Sequence, residues 1–180
     1  SGFALRATPH DIADAFRERR ARLDVPWIFT SATLSVGGSF AHYLDTLGID
    51  DVRTERWDSP FDFPARTRLY LPGAPVEPSH PAYTDFVADV AFAIVTLLAG
   101  RTFVLFTSHR ALTRAAAVLR PRLDLPMFVQ GDAPRERLLA EFVRSGRGVL
   151  LGTASFWEGV DVRGPALSAV VIDKLPFPRP

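Results

Sequence analysis

At 180 residues the chain is long enough to bury one α/β core, and a second full domain would be crowded. With no cysteine there is no disulfide, no CxxC redox pair and no thiolate set for zinc or an iron–sulfur cluster, and no apolar run approaches the roughly 18 residues that span a bilayer. The formal net charge of +1 lacks the basic excess of an autonomous nucleic-acid binder, so any grip on nucleic acid would be shared with other parts of a larger protein. No secretory leader is visible, which makes the cytoplasm the expected compartment and a membrane role unexpected.

Phe3 to Ala7 reads as a short strand, and Thr8-Pro-His-Asp11 as a cap with proline at the first helical position, opening a helix toward Arg22. Trp27 to Thr30 reads as an apolar strand. A helix from Ser39 to Leu47 follows, with Phe40, Tyr43, Leu44 and Leu47 at spacings of three and four, and Gly48 ends it. From Asp58 to Pro81 proline and polar breakers dominate, interrupted by a strand-like Thr67 to Leu71. Tyr83 to Ala99 carries the broad apolar stripe Phe86, Val87, Val90, Ala91, Ile94, Leu97 and Leu98, with Gly100 at the stop. Beyond it, strands alternate with helices: strand 102–106, helix 110–119, strand 127–130, helix 134–145, strand 149–151 and strand 167–172. Such alternation with continuously apolar strands implies a parallel α/β sheet buried on both faces, with functional groups in loops at the carboxyl ends of the strands.

The phosphate-cradling GxxxxGK[ST] pattern is absent, since the only lysine, Lys174, sits in Ile-Asp-Lys-Leu-Pro, and no DExH or DExD run is present to hold magnesium. Nucleotide chemistry would have to borrow its central parts from elsewhere. The loop Gly152-Thr-Ala-Ser-Phe-Trp-Glu-Gly-Val-Asp-Val-Arg-Gly164 directly follows a buried strand. Thr153 and Ser155 bring hydroxyl donors, the glycines admit close backbone approach to an anion, and Asp161 offers an acceptor for a ribose hydroxyl. Trp157 suits either base stacking or core filling. Glu158 suits orienting a water, pairing with an arginine, or plain solvation. His10, His42, His80 and His109 have no metal-ligand spacing, and solvated faces account for the arginines at 17, 19, 20 and 22 and at 110, 114, 120 and 122.

Thr153, five residues, then Gly159-Val-Asp161 resembles motif V of superfamily 2 helicases, and the whole GTASFWEGVDVRG string is similar to the DinG branch of the DinG/XPD type. Thr30-Ser-Ala-Thr-Leu34 resembles motif III, Ser59-Pro-Phe61 the segment after it, Thr102-Phe-Val-Leu-Phe-Thr-Ser108 motif IV, and Val171-Ile-Asp-Lys-Leu-Pro-Phe-Pro178 the stretch after motif V. Gln130-Gly131 fits the family's short turn before its next helix. The resemblance implies a RecA-like fold without its P-loop. Residues 1–58 would span the end of the first motor domain and the junction, and residues 59–180 would form the second motor domain, cut before motif VI.

The family couples ATP hydrolysis to movement along single-stranded DNA, typically 5′ to 3′, and to duplex unwinding. Carried over, Thr153 would touch a DNA phosphate with Ser155 and Trp157 beside it, and Thr107 and Ser108 would offer hydroxyls to the DNA backbone. A plain helix cap is the competing reading of Thr107 and Ser108. Gly159 and Asp161 would lie near the nucleotide, and Thr30, Ser31 and Thr33 would couple the two sites, their bland alternative being local backbone hydrogen bonds. ATP and magnesium would be held mainly by the first motor domain, the expected partner in the same polypeptide, and any iron–sulfur cluster would also lie outside this chain. The arginines of motif VI are expected after Pro180, so the fragment alone is expected to be inactive. The opposing reading is a catalytically empty RecA-like binding or interaction module. A Rossmann-like enzyme is disfavoured because no GxGxxG follows a strand.

Overall fold

A computed structural model describes residues 11–23, 25–157 and 159–175. The expected strand at Phe3–Ala7, the Thr8-Pro-His10 start and Glu158 lie outside them. Two compact units form, Ser1–Arg68 and Leu69–Pro180.

In the first unit, α1 (Ala13–Ala21) begins where Asp11 Oδ1 accepts from Ala13 N at 2.8 Å. The second helix, α2 (Ala41–Leu47), ends on left-handed Gly48, whose carbonyl accepts from Arg17 Nε of α1 at 3.1 Å. The expected strand at Trp27–Thr30 does not form. Its backbone has no strand partner among the described residues, and its rings are spent on packing: Phe29 lies 6.0 Å from Phe16 and 5.9 Å from Tyr43, and Trp27 lies 5.7 Å from Phe16. A short helix the sequence reading missed, α3 (Phe63–Arg66), is capped by Asp62, which accepts from Ala65 N at 3.1 Å.

The second unit carries the sheet. The strand expected at Thr67–Leu71 is also absent, and Leu69, Tyr70 and Leu71 are exposed, because apolar composition without a pairing edge does not make a strand. The remaining elements follow the alternation closely: α4 (Tyr83–Leu97), β1 (Thr102–Leu105), α5 (His109–Leu119), β2 (Met127–Val129), α6 (Arg135–Ser145), β3 (Val149–Gly152) and β4 (Ala169–Ile172). The four strands are parallel in the order β2-β3-β1-β4, with Leu105 opposite both Gly152 and Ile172. One face of the sheet packs on α4 and α5 through Val104, Leu151, Val95, Leu112 and Leu119. The other packs on α6, where fully buried Phe142 lies 4.8 Å from Phe103 and edge-on to Phe128 at 6.2 Å. This is the expected α/β arrangement with helices on both faces. No described helix is long and apolar enough to cross a membrane.

Two local constraints fix where β1 starts and ends. At its start, Ala99, Gly100 and Arg101 all have positive φ, and Gly100 N closes α4 by donating to Val95 O at 2.8 Å. A Cβ on Gly100 would fall 1.9 Å from the carbonyl oxygen of Arg147, so backbone itself blocks any side chain there. At its end, Asp173 extends the β1–β4 ladder: its N–H donates to Leu105 O at 3.0 Å, and its carboxylate accepts from Thr107 N at 3.0 Å and Lys174 N at 2.7 Å. Tyr83 of α4 donates to the Asp173 carbonyl at 2.8 Å. Burial raises the Asp173 carboxyl above the ordinary carboxylate range, outweighing the lowering by the Lys174 and Thr107 hydrogen bonds and the Lys174 charge.

Gly100→Ala is expected to lose at least about 2 kcal/mol in urea unfolding, through strain and backbone collision together, and an unchanged midpoint would contradict this geometry. Asp173→Ala strands two backbone donors and is expected to cost about 1–3 kcal/mol, with Asp173→Asn costing less because an amide oxygen can still accept. Since the folded chain holds the Asp173 proton more tightly than the unfolded chain, this group's contribution is greatest in acid and declines as pH rises through its raised pKa. The stability difference between wild type and Asp173→Asn should therefore shift toward the asparagine variant as pH rises from about 4, and a pH-independent difference would refute the assignment.

Candidate functional site

Because all four strands run parallel, their carboxyl ends deliver one polar row: Gln130 after β2, Thr153 after β3, Thr107 and Ser108 after β1, and Asp173 after β4. Phe106 N donates to Gly152 O at 2.9 Å, which holds the β1 and β3 exits side by side.

Thr153 is buried, at 6% exposure. Both its N–H and its hydroxyl donate to Gln130 Oε1, at 2.7 and 3.0 Å, so its single hydroxyl proton is engaged inside the protein. The Gln130 atom must be the carbonyl oxygen, since it faces a backbone N–H. Ser155 is exposed, and its hydroxyl has no partner among the described residues. Phe156 enters the core on the α6 side of the sheet. A Cβ on Gly152 would strike its ring at 2.8 Å, which explains why glycine ends β3. Trp157 is half-buried against that same core, so core filling is at least part of its role. Gly159 turns through φ 65°, a left-handed conformation, and is exposed. Asp161 is exposed and pairs with Arg163 Nε at 2.9 Å, a solvated contact that an incoming ligand could displace at little cost.

Ser108 Oγ accepts from Ala111 N at 3.2 Å and caps α5, which leaves its proton to donate outward. Thr107 is exposed, with its N–H on Asp173 Oδ1 and its hydroxyl 3.4 Å from Asp173 Oδ2. Ser108 is thus a helix cap whose hydroxyl proton is left available, while Thr107 takes no part in the cap. In the first unit, Ser31 and Thr33 are exposed, their hydroxyl oxygens 3.1 Å apart, and Thr33 N donates to Ser31 Oγ at 3.2 Å; Thr30 is exposed beside them. That is the local bonding pattern named as their bland alternative.

Three further residues shape this edge: Gln130, Asp173 and Arg135. Gln130 and Asp173 are each the first polar residue after an apolar strand, and that position is the signal in the sequence that points to them. Arg135, the first residue of α6, donates through Nε to Ser155 O at 3.0 Å and through Nη2 to Gly159 O at 2.8 Å. No sequence pattern forecasts that contact across 20 and 24 positions. Arg114 of α5 and Arg122 just beyond it stay exposed and reach across to α4, pairing with Asp85 at 2.8 Å and Asp89 at 2.6 Å.

The edge suits phosphate and sugar contact: short hydroxyls, exposed glycine backbone and one exposed carboxylate. Among the described residues no three His, Asp or Glu side chains converge, and the chain has no cysteine to hold an iron–sulfur cluster.

Residues 91–180, which contain all four strands, match the helicase C-terminal domain family. Across 178 residues, 99% of its length, the chain is 40% identical to the ATP-dependent DNA helicase YoaA of Escherichia coli and 38% identical to that of Haemophilus influenzae, covering 28% of each. It is 38% identical over 158 residues, 85% of its length, to the ATP-dependent helicase DinG of Mycobacterium tuberculosis, covering 24% of that protein. The chain thus spans about a quarter of the length of the curated relatives it matches. With all four described strands inside the matched region, the chain belongs to the helicase C-terminal domain family, of the DinG type.

Proposed function

We propose that this chain is the second motor domain of a cytoplasmic ATP-dependent DNA helicase that moves along single-stranded DNA, 5′ to 3′, and unwinds duplexes. The observation that carries the reading is the loop after β3, which brings Thr153, Ser155, Gly159 and Asp161 to the carboxyl edge of a parallel sheet in a chain similar along 99% of its length to a DNA helicase.

In this reading Ser155 and Ser108 donate hydroxyl hydrogen bonds to backbone phosphates of single-stranded DNA. Thr153 joins them once its hydroxyl turns away from Gln130, while its N–H stays on the glutamine. Trp157 stiffens the loop from below, and its outer part is available for stacking. Gly159 and Asp161 face the nucleotide, with Asp161 exchanging Arg163 for a ribose hydroxyl. Thr30, Ser31 and Thr33 carry the signal between DNA and nucleotide sites. Magnesium and the phosphates of ATP are held by the first motor domain, so no hydrolytic step is assigned to side chains of this chain. One wall of a two-walled site cannot surround the transferring phosphoryl group, and the isolated chain is therefore inactive.

The test is ATP hydrolysis with and without oligo-dT by the full-length protein, the isolated chain and a full-length Asp161→Ala variant. The full-length protein is expected to be stimulated by DNA, the isolated chain to be silent, and Asp161→Ala to lower kcat/KM for ATP by about tenfold or more. A full-length protein that binds single-stranded DNA without DNA-stimulated turnover would overturn the helicase reading in favour of a binding module.

A further inference from the structure

Resting on the proposed function, we infer that Gln130 and Arg135, at the two ends of the connection between β2 and α6, are positioning residues that hold the loop after β3 in the shape that engages DNA and nucleotide. Among the described residues the connection from β3 to β4 has little regular structure of its own: two short 3₁₀ turns, at Ala154–Phe156 and Gly164–Ala166, and left-handed glycines at 159 and 164. Its shape is imposed from outside. Gln130 fixes the entry by accepting from both donors of Thr153, at 2.7 and 3.0 Å. Arg135 fixes the middle, its planar fork taking the carbonyls of Ser155 and Gly159 at 3.0 and 2.8 Å, so that two points four residues apart are tied to one rigid group. Its guanidinium also lies 5.7 Å from the centre of the Phe156 ring, above the point where the loop enters the core.

These contacts engage the two donors of Thr153 and two loop carbonyls, and leave the side chains of Ser155 and Asp161 exposed. Gln130 and Arg135 are only five positions apart on a short turn between a strand and a helix, both anchored in the core through Val129 and Leu138. Movement at one is therefore felt at the other. A lysine at 135 would keep the positive charge but could not bridge both carbonyls with the fixed geometry of the guanidinium. A methionine at 130 would keep the length and lose the acceptor, stranding the Thr153 N–H.

The experiment uses the full-length protein and reads three quantities for Gln130→Met, Arg135→Gln, Arg135→Lys and the Gln130→Met/Arg135→Gln double variant: the oligo-dT concentration for half-maximal stimulation of ATP hydrolysis, KM for ATP, and Tm. Each neutral single variant is expected to raise the half-saturating DNA concentration by about tenfold. Arg135→Gln should also raise KM for ATP, because Arg135 holds the Gly159 end. Arg135→Lys should recover only part of the loss, and the double variant should cost less than the product of the singles, since both act on one loop. Full recovery by lysine would mean that charge alone matters, and would overturn the inference. So would multiplicative losses, or losses that only track a fall in Tm. If wild type itself shows no DNA stimulation, the functional reading fails; if wild type is stimulated and the variants behave like it, this inference alone fails.

Discussion

β1 is buried on both faces and paired along both edges, with β3 on one side and β4 on the other. Its four residues Thr102–Leu105 have no freedom to slide, because parallel register couples them to Val149–Gly152 and Ala169–Ile172 at once. A one-residue slip would turn Val104 and Phe103 out of their separate cores. The ends of β1 are as constrained as its middle, with backbone crowding at Gly100 and the Asp173 carboxylate at Thr107. The polar edge inherits its geometry from this strand: once β1 is placed, the exits of β3 and β4 lie beside it, and Thr107, Thr153 and Asp173 can occupy only adjoining positions.

Legibility in the sequence followed the physics of burial. Elements that pack into the sheet core, from Tyr83 onward, had strong periodicity or unbroken apolar runs, and their boundaries fell within a few residues of those found. Trp27–Thr30 and Thr67–Leu71 were misread for a shared reason. Each has strand-like composition, but strand formation requires a partner edge, and composition carries no information about one. In the first case packing against Phe16 and Tyr43 took the rings of Trp27 and Phe29; in the second the side chains of Leu69, Tyr70 and Leu71 are exposed.

The candidate loop was visible in the sequence because its residue types are unusual directly after a buried strand. What supports it was not. Gln130 and Arg135 act through contacts 20 or more positions away, and a polar residue at a strand end or helix start has many local uses that sequence cannot rank. The structure also reassigns emphasis within the loop. Thr153 is turned inward onto Gln130 while Ser155 and Asp161 face solvent, so the hydroxyl most expected to meet a phosphate is the one that must first change partner. An edge held this firmly by its neighbours, with Ser155 and Asp161 left outward, is the geometry on which the proposed contacts rest.

The central claim is that the loop from Thr153 to Asp161 meets single-stranded DNA and nucleotide. Amide hydrogen exchange on the full-length protein, with and without saturating oligo-dT and a non-hydrolysable ATP analogue, tests it most directly. The account predicts slowed exchange across residues 153–161 and at the start of α5, with little change at the opposite edge of the sheet around Gly100 and Arg147. DNA binding that leaves 153–161 unprotected while protecting other parts of the chain would contradict it.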